Sequence, residues 1–169
     1  NNVVIFNGKD EKTITGNVLV VNNLIQKIST SPIPTNKSGN TVIIDGKGKF
    51  LMPGLIDAHW HAILTASTMN ELMYAEPGYV FIKAGDEAAN TLMRGFTSVR
   101  DLGGPSFGLK KAIDDGVIDG PRIWPSGSII SQTSGHGDFR SVNERPVSLG
   151  GCLHHSEEIG GATIADGKD

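Results

Sequence analysis

The sequence has little cysteine, no cluster of positive charge and no long apolar run. Its one cysteine, Cys152, excludes an internal disulfide framework. The formal net charge is -3 and the charged residues are scattered along the chain, so we expect neither a nucleic-acid partner nor a membrane partner. The longest apolar runs fall far short of the about 20 residues that cross a bilayer.

What remains is the composition of an ordinary globular protein. Of the 169 residues, 38% are hydrophobic and 20% are charged, which is enough apolar material for a core. The 22 glycines predict many tight turns. The chain begins without Met, and near its end Asp166 suits a helix N-cap and Asp169 the N3 position of the same helix. We therefore expect this chain to be part of a longer polypeptide.

Residues 1–50 have the pattern of short strands joined by turns. Alternating or β-branched stretches predict strands at VVIF, NVLVV, LIQKIS and TVIID. No helical period is convincing in this part of the sequence. We predict a small β unit that needs another surface to cover its faces.

After this β unit, strand-like and helix-like segments alternate. The stretch FLMPGLIDAH is nearly all apolar, which predicts a strand buried on both faces. One helix is predicted over 78–94 with Gly95 as its C-cap, and another over 107–115 with Ser106 as its N-cap. Further strands are predicted at FTSVRD and PRIWPSG, and this order indicates a parallel sheet or barrel. A Gly- and Ser-rich loop over 131–161 follows, and its length suits a functional loop.

Two histidines, His59 and His61, stand at the end of the apolar stretch PGLIDAHWH. Because side chains at i and i+2 of a strand share a face, both rings can converge on one metal ion. The pair also follows an apolar strand, at the end where parallel α/β folds place their chemistry. Two hydrogen-bonded histidines without a ligand are the alternative interpretation, and the spacing with its context favours the metal site.

Three charged residues near the predicted strand ends have structural interpretations that we favour over functional ones. Asp57 shares a face with His59, and it either orients a ligand imidazole or accepts hydrogen bonds from backbone amides, which is favoured. Arg100 and Asp101 either reach the pocket or form a structural ion pair, and the ion pair is favoured.

The loop TSGHGD holds another candidate, His136, between two glycines. This histidine either donates a hydrogen bond to a substrate, with Asp138 fixing its orientation, or is a flexible exposed loop residue. His154 and His155 are adjacent, so their side chains point apart on regular structure, and we interpret them as surface or loop residues. We interpret Cys152 as a bystander.

The stretch VIIDGKGKFLMPGLIDAHWH resembles the start of the barrel in metal-dependent amidohydrolases, whose pattern is PGLID.H.H after a small β unit and an ID..G turn. The likeness continues through TLMRGFTSVRDLGG, GVIDGPRIWPSG and SGHGD, and so covers nearly the whole chain. The SGHGD loop looks like the branch that contains Xaa-Pro dipeptidases, carboxypeptidase-like dipeptidases and ochratoxin-hydrolysing amidohydrolases.

This resemblance implies an α/β fold, namely the N-terminal portion of a (β/α)8 TIM barrel preceded by a small β-sandwich domain. Residues 1–50 would form part of the sandwich, and residues 51–169 the first three βα units of the barrel. His59 and His61 match the first two ligands of one or two divalent ions, usually zinc, and His136 matches a histidine that contacts substrate. The family's carboxylated lysine, further histidines and catalytic aspartate would lie downstream of this chain.

The reaction that the resemblance implies is hydrolysis of an amide bond in a dipeptide or an N-acyl amino acid, including ochratoxin-like amides, by metal-activated water. The alternatives are a cyclic-amide hydrolase or deaminase of the same superfamily, and an inactive fragment. Because the catalytic residues are expected downstream, we predict that the isolated 169-residue chain is inactive. We also expect a homo-oligomer, and the sequence leaves cytoplasmic and exported locations open.

Overall fold

The computed structural model describes residues 1–36 and 39–167, and the chain divides into two compact units, Asn1–Pro53 and Gly54–Asp169. No helix within the described ranges is both long and apolar enough to cross a membrane. The expected N3 residue of a terminal helix, Asp169, lies outside the described residues. Its proposed N-cap partner, Asp166, accepts hydrogen bonds from the backbone N and the Oγ1 of Thr133 at 2.6 and 2.5 Å.

The first unit is built on one four-stranded sheet in the order β3-β2-β1-β4. Strand β1 pairs antiparallel with β2 and parallel with β4, and β2 pairs antiparallel with β3. The turn between β2 and β3 places Asn22 at a φ of +57°, a conformation that asparagine tolerates better than most residues. The strands are β1 Val3–Ile5, β2 Ile14–Val21, β3 Leu24–Ser29 and β4 Phe50–Leu51.

The strands predicted at VVIF, NVLVV and LIQKIS are confirmed, whereas the strand predicted at TVIID is wrong. Residues 41–45 belong to no strand or helix. The amino terminus donates to the Ile44 carbonyl at 2.7 Å, and Gly46 N donates to the Asn1 carbonyl at 2.8 Å. These isolated bonds attach the segment without making it a strand. The second sheet of a β-sandwich remains a prediction.

The apolar stretch FLMPGLIDAH is divided between two strands, β4 and β5 Leu55–Trp60, instead of forming one. Pro53 has no backbone N–H to donate to a ladder. Gly54 passes so close to Thr97 that a Cβ at this position would collide with the threonine side chain. The expected burial on both faces is also wrong, because Ile56 is 72% exposed.

The second unit contains a three-stranded parallel sheet in the order β5-β6-β7 and a two-stranded parallel pair, β8-β9. Its strands after β5 are β6 Phe96–Asp101, β7 Arg122–Pro125, β8 Ile129–Ser131 and β9 Ala162–Ile164. Its helices are α1 Met69–Tyr74, α2 Pro77–Met93, α3 Phe107–Asp114 and α4 His155–Glu158. Single turns of 3₁₀ helix occur at Leu64–Ala66 and Val147–Leu149. The predicted βαβαβ order and its parallel sheet are confirmed, and closure into a barrel remains a prediction.

The two predicted helices are found, and their ends explain why they start and stop where they do. Pro77 occupies the first turn of α2, where its missing N–H has no cost, and the Glu76 side chain accepts a bond from the third residue. Gly95 follows α2 at a φ of +96°, as expected of a residue that ends a helix. Ser106 does precede α3, but its side chain makes no capping bond there.

The core of the second unit lies between the parallel sheet and helices α2 and α3. Helix α2 buries one stripe of small residues at helical spacing, including Ala84 and Ala88. Trp60 at the end of β5, and Ala62 and Ile63 just after it, are buried in the same core. The remaining members are Val80, Val99, Leu109 and Ile123. Residues on both sides of His61 are therefore anchored by apolar packing.

Candidate metal centre

The histidine pair lies at the carboxyl end of β5, where His59 is the second-last residue of the strand and His61 follows its last residue, Trp60. The two rings are in contact, with centroids 5.5 Å apart and planes inclined at 77°. Trp60 between them is buried in the core, so the histidines lie on the other side of the strand. The spacing thus brings the two imidazoles together, as the sequence predicts.

One buried ring nitrogen of this pair has no hydrogen-bond partner among the residues that the structure describes. The Nδ1 atom of His61 is buried and makes no hydrogen bond to any described residue. An unpaired buried polar atom costs about 1–3 kcal/mol, so such atoms are rare unless a ligand, ion or water satisfies them. A neutral imidazole nitrogen is also a common ligand of zinc. The imidazole nitrogens of the pair are therefore suitable ligand atoms for a divalent cation.

The pair alone is a partial ligand set. Within the described part of the chain, no group of three or more His, Cys, Asp or Glu side chains is arranged to hold a metal ion. Zinc sites in proteins have three or four protein ligands. His59 and His61 would thus supply part of a coordination shell.

The Asp57 side chain forms a hydrogen bond with the backbone of its own strand. Its Oδ1 accepts a hydrogen bond from the amide of His59 at 3.0 Å. This is the interpretation that we favoured from sequence, a carboxylate that satisfies a backbone amide at a strand end. The bond constrains the chain at His59.

The expected ion pair between Arg100 and Asp101 is wrong, because adjacent strand residues point to opposite faces. Arg100 is exposed and its Nε donates to the carbonyl of Ala58 at 2.8 Å. Asp101 is fully buried and accepts bonds from backbone amides after β5 and β6 and from the hydroxyl of Ser106. The Ser106 hydroxyl that was expected to cap α3 is used here.

The glycine-flanked His136 is exposed, on a turn that follows β8. A Cβ at Gly137 would lie 2.7 Å from the Cγ2 of Ile129, so that position excludes a side chain. The amide of Gly137 donates to the Ser131 hydroxyl at 3.1 Å, and Ser134 has a φ of +59°. The turn is therefore tightly built although His136 itself is exposed. No described hydrogen bond or ring contact joins His136 to the histidine pair.

Asp138 does not orient His136, contrary to the expectation from sequence. Its carboxylate forms an ion pair with Arg140. The Nε of Arg140 donates to Oδ1 at 2.7 Å, and its Nη2 donates to Oδ2 at 2.6 Å. The two side chains are 7% and 5% exposed. These bonds from Arg140, with the amide of Ser134, hold the pKa of the Asp138 carboxyl well below its usual range. The same hydrogen bonds raise the pKa of the Arg140 guanidinium. Arg140 is not among the residues that the sequence pattern singles out.

His154 lies in the loop directly before α4, so of the two interpretations the loop is confirmed and the surface is not, because its side chain is only 9% exposed. It is the N-cap of α4, its Nδ1 accepts from the amide of Ser156 at 3.2 Å, and Glu157 completes a capping box. A Glu three residues after a polar residue is the sequence signal that identifies such a helix start. A cavity of about 150 Å³ lies beside His154 and Cys152, and Cys152 is exposed.

The parallel sheet, its helices and the HxH pair at a strand end define the class to which this protein belongs. Residues 50–162, more than half of the chain, match the amidohydrolase family. The chain belongs to this family, which confirms the resemblance drawn from PGLIDAHWH and the stretches after it.

Particular relatives cover parts of the chain. An ochratoxinase from Aspergillus niger is 38% identical over 92 residues, which are 53% of this chain and 19% of that protein. A 5'-deoxyadenosine deaminase from Methanococcus vannielii is 42% identical over 57 residues, 34% of this chain and 12% of that protein. A crystal structure of a prolidase complexed with N-methylphosphonate-L-proline is 31% identical with a TM-score of 0.74, covering 98% of this chain and 40% of that one. The chain thus spans well under half the length of these proteins.

Proposed function

We propose that this protein is a metal-dependent hydrolase that cleaves the amide bond of a dipeptide or an N-acyl amino acid, including ochratoxin-like amides. The observation that carries the proposal is the His59–His61 pair, with one buried ring nitrogen unpaired, at the end of a strand in an amidohydrolase chain. The similarity to an ochratoxinase and to a prolidase supports an amide substrate of this kind.

His59 and His61 would hold a divalent cation, which we propose to be zinc, in a site of one or two ions. When bound, such an ion supplies Lewis acidity toward a carbonyl oxygen and lowers the pKa of water. The contribution of this chain is to present the imidazoles: the Asp57 bond constrains the backbone at His59, and core packing of Trp60 and Ala62 constrains His61.

His136 would contact the substrate. It is exposed, and its two glycine neighbours have no side chains to shield it. The hydrogen bonds around Ser134 and Gly137 hold the turn in one conformation, so the imidazole is presented from a defined backbone. Its role would be to donate a hydrogen bond to a carbonyl or carboxylate oxygen of the amide substrate.

A second candidate is a different hydrolase of the same family, a deaminase or a cyclic-amide hydrolase. The similarity to a 5'-deoxyadenosine deaminase favours it. The SGHGD loop and the greater coverage of the prolidase and ochratoxinase matches favour the amide substrate. We propose the activity for the complete protein, as a homo-oligomer with a small peptide-like substrate, and we expect none from the 169 residues alone.

The test begins with metal. Zinc content and zinc affinity are measured for the complete protein, for the variant with both His59→Asn and His61→Asn, and for His155→Asn as a control outside the pair. We expect the double variant to lose zinc and the control to keep it. Equal zinc binding by all three proteins would refute the metal role of the pair.

Substrate class is tested next with the complete protein. Hydrolysis is measured on a panel of dipeptides, N-acyl amino acids and an ochratoxin-like amide, with 5'-deoxyadenosine as the competing substrate. Cleavage of the amides and not of the nucleoside supports the first candidate. Deamination alone would favour the second candidate. Amide hydrolysis by the isolated chain of 169 residues would contradict the expectation that it is inactive.

A further inference from the structure

We infer that Asp101 is a positioning residue for the candidate metal centre, acting through the backbone beside His61. This inference rests on the proposed role of His61 as a ligand. Asp101 is the last residue of β6, the strand next to β5, and the two strands are paired up to Trp60 and Asp101. Its side chain is fully buried, with an exposure of 0%.

Both carboxylate oxygens of Asp101 are used. Oδ1 accepts from the amide of Ala62 and from the amide of Gly103, each at 3.3 Å. Oδ2 accepts from the hydroxyl of Ser106 in a short hydrogen bond. An aspartate offers two acceptor oxygens, whereas an asparagine at this position would offer one and would direct its amide group at the Ser106 oxygen in place of the acceptor Oδ2.

The backbone of Asp101 extends the same role to the third strand of the sheet. Its carbonyl accepts from the amide of Ser126, just after β7, at 3.0 Å. Asp101 therefore forms hydrogen bonds to segments that follow β5, β6 and β7. These segments lie at the carboxyl ends of the strands, where parallel α/β folds place their active sites. A single residue holds three strand ends in one arrangement.

The consequence falls on His61, which lies between two anchored backbone groups. The carbonyl of Trp60 accepts from the amide of Leu102 at 2.9 Å, and the amide of Ala62 donates to Asp101 at 3.3 Å. The ladder between β5 and β6 ends at Trp60, so beyond it the carboxylate continues the pairing that backbone groups no longer make. Asp101 thereby sets the backbone of His61 and the direction of its ring.

Three donors from different segments converge on the Asp101 side chain, so this position requires a polar acceptor. A buried carboxylate is costly to desolvate, and no described ion pair neutralises Asp101. An apolar residue of similar size would avoid that cost but would leave the amides of Ala62 and Gly103 and the hydroxyl of Ser106 without this acceptor. Because these donors follow β5 and β6, their shared acceptor fixes the two segments relative to each other beside His61.

The test compares Asp101→Asn with Val99→Ala, a variant that damages the same strand in the core without touching the strand-end hydrogen bonds. Val99 is also fully buried, so both variants are expected to be less stable. Zinc affinity of the complete protein is measured by titration with zinc alone, at a temperature at which thermal unfolding shows every variant to be folded. We expect Asp101→Asn to weaken zinc binding about tenfold, as loss of a group that orients a ligand does, and Val99→Ala to leave it unchanged.

Ser106→Ala is the second variant, in case Asp101→Asn does not fold. It retains the carboxylate but removes the donor to Oδ2, and we expect a smaller loss of zinc affinity with the protein still folded. Zinc affinity that falls equally in Val99→Ala, or in none of the variants, overturns the positioning role. The proposed function fails separately, if the double variant of His59 and His61 binds zinc as well as the unaltered protein.

Discussion

The buried ion pair between Asp138 and Arg140 gives the sharpest prediction about the turn that carries His136. Changing Asp138→Asn removes the charge and retains the shape of the side chain. Because the pair is 7% and 5% exposed, water screens it little, and the loss should be much larger than at a surface pair. We expect the turn over residues 133–138 to open more often while the rest of the chain stays folded.

The magnitude follows from the hydrogen bonds that the Asp138 carboxylate accepts. Arg140 donates from Nε at 2.7 Å and from Nη2 at 2.6 Å, and the amide of Ser134 donates at 2.7 Å. A bond to an ionised group contributes about 1.5–3 kcal/mol and a neutral one about 0.5–1.5 kcal/mol. Asparagine keeps one acceptor oxygen, and its amide group faces the Arg140 guanidinium, so a donor meets a donor there. The free energy of local opening should therefore fall by about 2 kcal/mol.

The assay is native-state hydrogen exchange at the amide of Ser134, which donates to Asp138. A loss of about 2 kcal/mol corresponds to about 30-fold faster exchange. The matched control is Asp115→Asn, which breaks an ion pair with Lys111 of the same 2.6 Å length whose side chains are 76% and 50% exposed. We expect Asp115→Asn to cause no measurable change in amide exchange around its own ion pair.

Two results would refute the reasoning. If Asp138→Asn and Asp115→Asn had equal small effects, burial would not determine the strength of the pair. If Asp138→Asn lowered the free energy of global unfolding by as much as it lowered the opening free energy at the Ser134 amide, the turn would not be a local unit.

The pKa of the Asp138 carboxyl is lowered in the folded state. Its contribution to stability is therefore present above the usual pKa of 3.8 and is lost only as the pH falls well below that value.

The remaining predictions concern the core and the first helix of the second unit. Ile123→Ala, at a residue that is fully buried in β7, should lower the free energy of unfolding by about 3 kcal/mol in chemical denaturation, whereas Val117→Ala, 73% exposed, should change it little. The amide of Thr68, with Lys83, lowers the pKa of Glu71 from 4.5 to about 2. The stabilisation that Glu71 gives to α1 is therefore present above pH 4.5 and is lost as the pH falls toward 2. An NMR titration that showed an unshifted pKa for Glu71 would contradict this. So would the same pH dependence of stability in Glu71→Gln.

Much of the second unit could be predicted from the sequence because its signals are local. The helix over Pro77–Met93 follows from its apolar spacing and from Gly95, and the strands β6 and β7 follow from β-branched stretches between turn residues. The convergence of His59 and His61 follows from the two-residue period of a strand. These features depend on neighbours a few residues apart in the chain.

The sequence predictions are wrong where the choice among several possible partners, and not the residue type, decides the outcome. TVIID has the composition of a strand, but within residues 1–36 and 39–167 no strand pairs with it. Ser106 has the right residue type and position for a cap, yet its hydroxyl is taken by a carboxylate from the preceding strand. Asp138 was assigned to His136, whereas Arg140, two residues further, holds it in a fork.

The sequence by itself determined the family, the parallel βαβαβ order and the histidine pair, because periodicity and motif are written in residues close along the chain. Only the tertiary structure decided that the Nδ1 of His61 is buried with no partner in the described part of the chain and that Asp101 joins three strand ends. Burial and hydrogen bonding between residues such as Ala62 and Asp101, 39 positions apart, depend on how strands lie beside one another. No local pattern contains that information, since the same residues in another register would meet different neighbours.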